Sequence, residues 1–102
     1  MLITTTPATP DGPTTFALSG RFDAHEADSF RSAVDPAIKT GNPAIDVNLS
    51  DVEFLDSTAL AELVRLMKHC REKGGDLRLV SPSNPVTVIL ELTRLNVAFT
   101  IV

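Results

Sequence analysis

Apolar and polar positions change their spacing several times along this chain, and each change marks an element. At 44–49 they alternate: Ile45, Val47 and Leu49 point one way, Asp46 and Asn48 the other. A period of two is that of a strand with one face buried and one wet. From residue 60 the period becomes helical. Leu60, Leu63, Val64, Met67 and Cys70 fall on one stripe, with Glu62, Arg65, Lys68 and Glu72 off it. Gly74-Gly75 ends this helix, and 76–80 alternates again, with Leu77 and Leu79 inward and Arg78 outward.

The flanking segments complete the order. Residues 2–6 are β-branched and short, which predicts an edge strand. Residues 7–13, with Asp11-Gly12 and prolines, predict a turn, and 14–19, with Phe16 and Leu18 on one face, a second strand pairing back as a hairpin. Asp23 sits three residues before Glu26, a capping-box-like start to a helix whose stripe is Phe30, Val34, Ala37 and Ile38. Pro36 interrupts that stripe and predicts a kink or an early end; Gly41-Asn42-Pro43 closes the segment. Residues 86–89 favour a strand by propensity. The Ser83-Asn84-Pro85 start and the Ile89, Leu92, Leu95 spacing outweigh that and predict a helix. Residues 98–102 predict a last short strand.

The order is therefore ββαβαβαβ. Alternating strands and helices require crossover connections and so an α/β fold with a mixed, mostly parallel sheet. Strands buried on both faces would be apolar throughout; the alternation at 44–49 and 76–80 predicts helices packed on one face only. Residues 1–102 form one domain, with 1–13 as its N-terminal edge strand and turn.

Composition narrows the function classes. A chain of 102 residues with 43% hydrophobic and 22% charged residues can bury one core. No apolar run approaches the roughly 18 residues of a membrane span, and the N-terminus has no secretory pattern, so no membrane insertion is expected. One cysteine, Cys70, fits a reducing compartment and a cytoplasmic protein. The net charge of −4 has the wrong sign for nonspecific binding to nucleic acid. Between Lys39 and Arg65 there is no Lys or Arg, while Asp46, Asp51, Glu53, Asp56 and Glu62 all fall there. That stretch is either a solvated acidic face or a surface that meets a basic partner.

The candidate chemistry sits where the strand pattern gives way to the helix, at Asp56-Ser57-Thr58. With Asp56 as N-cap, Ser57 is the first helical residue. A phosphate there would meet free backbone N–H groups and the positive end of the helix dipole. By spacing alone, a hydroxyl at such a place is more commonly a cap. No Gly-x-Ser-x-Gly elbow surrounds Ser57, and His25, His69 and Cys70 are too scattered for a triad or a metal site, so neither catalysis nor a metal is expected. Nucleotide-binding glycine loops are absent, and no cofactor is expected. An aspartyl-phosphate receiver is also excluded: no acidic pair follows the first strand, and the last lysine is Lys73.

Phe54-Leu55-Asp56-Ser57-Thr58-Ala59-Leu60 resembles the signature of STAS domains, specifically bacterial anti-sigma factor antagonists. Leu18-Ser19-Gly20-Arg21-Phe22-Asp23 and Glu91-Leu92-Thr93-Arg94-Leu95 resemble two further segments of that family, in the same order over roughly residues 14 to 102. The resemblance implies a phosphorylation switch used in partner switching and stress-response transcription control. The serine after the aspartate, Ser57 here and with Thr58 as the lesser alternative, is phosphorylated by an anti-sigma factor that is also a serine kinase. The unmodified form binds that kinase and frees the sigma factor, and a serine phosphatase resets the cycle. Asp23, Asp56, Ser57, Thr58 and Ala59 would form the partner-binding surface. The resemblance equally allows a STAS subunit of a lipid or solute transporter, bound to its ATPase subunit. The chain departs from the family at Ala59 and Arg94, where glycine is common; a firmer helix is expected at the first, and Asn96 is expected to take over the turn at the second. It stops at Val102, where many relatives continue into a last helix, so that helix is expected to be absent.

Overall fold

The computed structural model describes residues 1–9, 12–40 and 43–102. Its strands are β1 (Leu2–Thr6), β2 (Thr14–Phe22), β3 (Ala44–Leu55), β4 (Asp76–Val80) and β5 (Thr100–Ile101), joined side by side in chain order. β1 runs antiparallel to β2, and the remaining pairs are parallel. Helices α1 (Ala27–Lys39), α2 (Ser57–Glu72) and α3 (Asn84–Leu92) follow β2, β3 and β4. Each parallel strand lies one place further across the sheet than the last, so right-handed crossovers set all three helices on the same face. This is the mixed, one-sided α/β order expected from the pattern.

One core fills the space between helices and sheet. Phe30, Val34 and Ile38 of α1, Leu63 and Leu66 of α2, and Val86 and Leu90 of α3 meet Phe16, Ile45, Val47, Leu77 and Leu79 of the strands. The opposite face is polar. Thr15, Asp46, Arg78 and Thr100 lie side by side across four strands. Arg78 donates to both oxygens of Asp46, at 2.8 and 2.7 Å, which pairs the buried carboxylate.

β2 and β3 are longer than the alternation predicted. The register of β3 against β2 slips by one residue between Ala17 and Ser19 and again between Gly20 and Arg21. Each slip inserts an extra residue into β3, so its inward positions run Leu49, Val52, Leu55 at intervals of three. A bulge of this kind destroys the period of two while the strand continues. Gly20 takes φ +92, a conformation that disfavours any side chain.

Several local expectations are corrected. Pro36 lies inside α1, which continues to Lys39. It sits in the last turn and is exposed, so only the final hydrogen bonds are affected. The capping box at Asp23 does not form: Asp23 caps a single 3-10 turn, Ala24–Glu26, and the Glu26 carboxylate instead accepts from the Met1 amino group at 3.1 Å. Leu66 joins the α2 stripe, and Glu62, placed off it, is buried. In α3 the inward pair is Val86 and Leu90; Leu92 is 80% exposed and Leu95 lies beyond the helix end. At Arg94 the chain turns through φ +60, so Arg94 itself, and not Asn96, adopts the left-handed conformation. The last strand shrinks to Thr100–Ile101, with Phe99 packed in the core. Pro10 and Asp11 of the first turn, and Gly41 and Asn42 of the α1–β3 connection, lie outside the described residues.

Candidate phosphoacceptor and partner-binding site

β2 and β3 end together, with Phe22 opposite Leu55. One residue later, the Asp56 N–H donates to the Phe22 carbonyl at 3.3 Å, which holds the two strand ends in step. Asp56 is extended (φ −101, ψ 179), so the chain can turn at once into α2. Its carboxylate does two things. Oδ1 accepts from the Ala59 N–H at 2.9 Å and caps α2. Oδ2 accepts from the Ala24 N–H at 2.9 Å and ties the start of α2 to the turn that follows β2. That turn is capped in the same way, Asp23 Oδ1 accepting from the His25 N–H at 3.0 Å.

Ser57 is therefore the first residue of α2, and both Ser57 and Thr58 are exposed. Asp56 does the capping, and neither hydroxyl takes part in it. The first intrahelical bond is Leu60 N–H to Asp56 carbonyl, 3.0 Å. The Ser57 and Thr58 amides precede it, in the first turn, where a helix favours an anion. Asp23 and Asp56 thus meet through the Ala24–His25 backbone, with Ser57 and Thr58 beside them. Ala59 departs from its expected place: its side chain has no exposed surface and packs in the core. Its contribution at this end of α2 is the N–H given to Asp56.

The acidic stretch divides in two. Glu62 accepts from Arg31 and, at 2.9 Å, from Arg65, and Arg65 also reaches Asp35 at 3.0 Å, so α1 and α2 are clamped together. The Arg31 hydrogen bond, helped by Arg65 and opposed by desolvation, holds the Glu62 carboxyl below its ordinary range. Asp46 is taken by Arg78. Of the five acids between Lys39 and Arg65, Asp51 and Glu53 remain as exposed charges near the strand end, with Asp56 half-buried. Cys70 is buried, and desolvation first, with the nearby Asp76 charge, pushes its thiol up to about 11. His25 and His69 are exposed.

Two further residues belong to this end of the sheet, Arg21 and Phe54, which the sequence shows only as parts of a motif. Arg21 lies opposite Phe54 in the register, and its guanidinium carbon sits 4.1 Å from the ring centroid. An aromatic at an outward-facing strand position was the available signal, hidden by the bulge that breaks the alternation of β3.

The STAS domain family matches residues 5–102. The chain belongs to the STAS domain family. This STAS domain is 39% identical over 62 residues to a relative from Thermotoga maritima; that match covers 61% of the chain and 55% of the relative, so the chain spans about half of that protein's length. The anti-sigma F factor antagonist of Paenibacillus polymyxa is 30% identical over 79 residues, 76% of this chain and 68% of that protein. The anti-sigma factor antagonist SpoIIAA in its unphosphorylated form has a TM-score of 0.84 at 20% identity, covering 99% of this chain and 88% of that chain. In its phosphorylated form, the Bacillus cell fate determinant SpoIIAA has a TM-score of 0.78 at 20% identity, with 99% and 91% covered. These two likenesses establish the shared STAS fold. The Paenibacillus polymyxa relative and SpoIIAA are both named as antagonists of anti-sigma factors. Among the described residues, no helix is long and apolar enough to cross a membrane.

Proposed function

We propose that this STAS domain is an anti-sigma factor antagonist switched by phosphorylation at Ser57. Its partner is an anti-sigma factor that is also a serine kinase; the unmodified domain binds it and frees a sigma factor, the phosphorylated domain does not, and a serine phosphatase resets the cycle. One observation carries the reading. Asp56 caps α2, which leaves the Ser57 hydroxyl exposed at the first helical position, outside the cap and without a hydrogen-bond partner among the described residues. Asp23, Asp56, Ser57 and Thr58 are the partner-facing residues, with Ala59 supporting them from the core side.

The charge arithmetic supports a switch. A phosphate adds about −1.5 to −2 charges. On the free surface, water screens it from Asp23, Asp56 and Glu53. Under a bound partner that screening is lost. Two like charges about 7 Å apart at an effective dielectric of about 20 repel by roughly 2 kcal/mol, which is about 30-fold in affinity. The modification is therefore tolerated by the free domain and opposes the complex.

The test is to incubate the protein with Mg-ATP and each anti-sigma serine kinase of its organism and to map the phosphate by mass spectrometry. Modification at Ser57, abolished by Ser57→Ala, is expected. No phosphate on Ser57 from any of these kinases overturns the reading.

A further inference from the structure

Arg21 is the only basic residue of β2 and β3, the strands whose ends carry Asp23 and Asp56. Its side chain is 63% exposed, yet it is held in place. The guanidinium lies 4.1 Å over the Phe54 ring, which is itself 36% exposed. Its Nε is 3.9 Å from Asp23 Oδ2, within ion-pair range and too far for a hydrogen bond. Arg31, Arg65, Arg71 and Arg78 each donate to a carboxylate of their own chain. The N–H donors of Arg21 have no acceptor among the described residues. An arginine stacked on a ring keeps its planar edge open and has already lost much of its rotamer freedom, so it loses little more on binding a planar anion.

We infer that Arg21, laid on Phe54, is a specificity residue of the partner surface, and that the partner sets a carboxylate against it. The inference rests on the function proposed above and adds the chemistry of the partner's face. Asp23 ties Arg21 to the Ala24–Asp56 junction, so the cation is continuous with the Ser57 surface. That surface then has a polarity: one fixed positive charge on the sheet side, and the negative charges of Asp23 and Glu53 beside it. A cognate partner must carry the mirror pattern, an acid facing Arg21 and bases facing the carboxylates. A partner with the opposite pattern meets like charges, which is how related interfaces are kept apart.

The experiment measures binding of the whole 102-residue chain to an anti-sigma serine kinase of the same organism that binds it unmodified, at about 50 and 300 mM salt. Arg21→Glu is expected to weaken binding at least tenfold, Arg21→Lys to do so less, and an acid-to-lysine exchange on the partner to restore affinity for the Arg21→Glu protein. Unchanged melting temperature of the variants excludes a folding defect. Arg21→Glu and Arg21→Ala both binding within twofold of the parent overturn the inference; retained phosphorylation at Ser57 then leaves the switch standing. A second outcome also overturns it: unchanged partner binding with a raised phosphate pKa on phosphoserine 57, read by phosphorus NMR, which would assign Arg21 to the chain's own phosphate. A chain that binds none of these kinases overturns both.

Discussion

Asp56 is the residue on which the geometry of the site depends, and its replacement has a calculable effect. Asp56→Ala removes two bonds: the cap from the Ala59 N–H and the tie from the Ala24 N–H, both 2.9 Å. Loss of an N-cap costs about 1 kcal/mol. The tie is a charge-assisted hydrogen bond in an exposed place, where solvent screening brings it below the usual range for such bonds, to about 1 kcal/mol. The sum, about 2 kcal/mol, lowers Tm by roughly 8–16 °C in a domain of this size. Asp56→Asn separates the two contributions. Its carbonyl oxygen can keep the cap, while its NH2 faces the Ala24 N–H, donor against donor. It should cost about 1 kcal/mol or slightly more, nearly all of it from the tie. Ala24→Pro removes the same bond from the other side, since Ala24 follows an extended residue and opens a 3-10 turn, where proline is tolerated. Urea unfolding of the two single variants and the double variant gives the coupling, expected at about 1 kcal/mol. Amide exchange read by NMR should show Ala24 and Ala59 protected in the parent, with Ala24 alone released in Asp56→Asn. Additive single-variant effects, or an Asp56→Ala protein within about 0.5 kcal/mol of the parent, would refute the two-sided role of this carboxylate.

Three further outcomes are expected. Arg94→Gly should stabilise the protein by about 0.5 kcal/mol in urea unfolding, because relief of the left-handed conformation at φ +60 exceeds the entropy that glycine adds to the unfolded chain. Glu62→Gln should destabilise by about 2 kcal/mol, since Arg31 and Arg65 lose their anion at a buried position. The Glu62 carboxyl is depressed in the folded state, so its contribution is complete above the ordinary glutamate range and is lost as pH falls through the depressed value; parent and Glu62→Gln stabilities should converge under acid conditions. Cys70, buried and with its thiol raised to about 11, should resist thiol reagents at pH 8 in the native protein and react fully in urea.

Much of the fold was legible because most of its elements obey one period each. The 44–49 and 76–80 alternations and the stripe at 60–70 placed strands and a helix correctly, and the short β1 and β4 match residue for residue. Where a period is interrupted, the sequence conceals that the element continues. The two bulges let β3 continue while its pattern dissolved, and Pro36 was tolerated because it fell in the last turn of α1. Glu62 is a charged residue at a buried position, intelligible only once Arg31 and Arg65 are seen to converge on it from two helices. At the site, Asp56 as N-cap and Ser57 as the first helical residue could be read from the strand-to-helix change of period. The Asp56–Ala24 tie could not, since it joins backbone and side chain 32 residues apart. The Arg21–Phe54 stack is of the same kind, a consequence of register that no local spacing encodes.

The most direct measurement compares one protein in two states. The unmodified chain and a homogeneous Ser57-phosphorylated form are titrated, by calorimetry, into the anti-sigma serine kinase that modifies Ser57. The switch requires a binding signal for the unmodified form and an affinity at least about 30-fold weaker for the phosphorylated one, the equivalent of roughly 2 kcal/mol. Equal affinities for the two forms would contradict it.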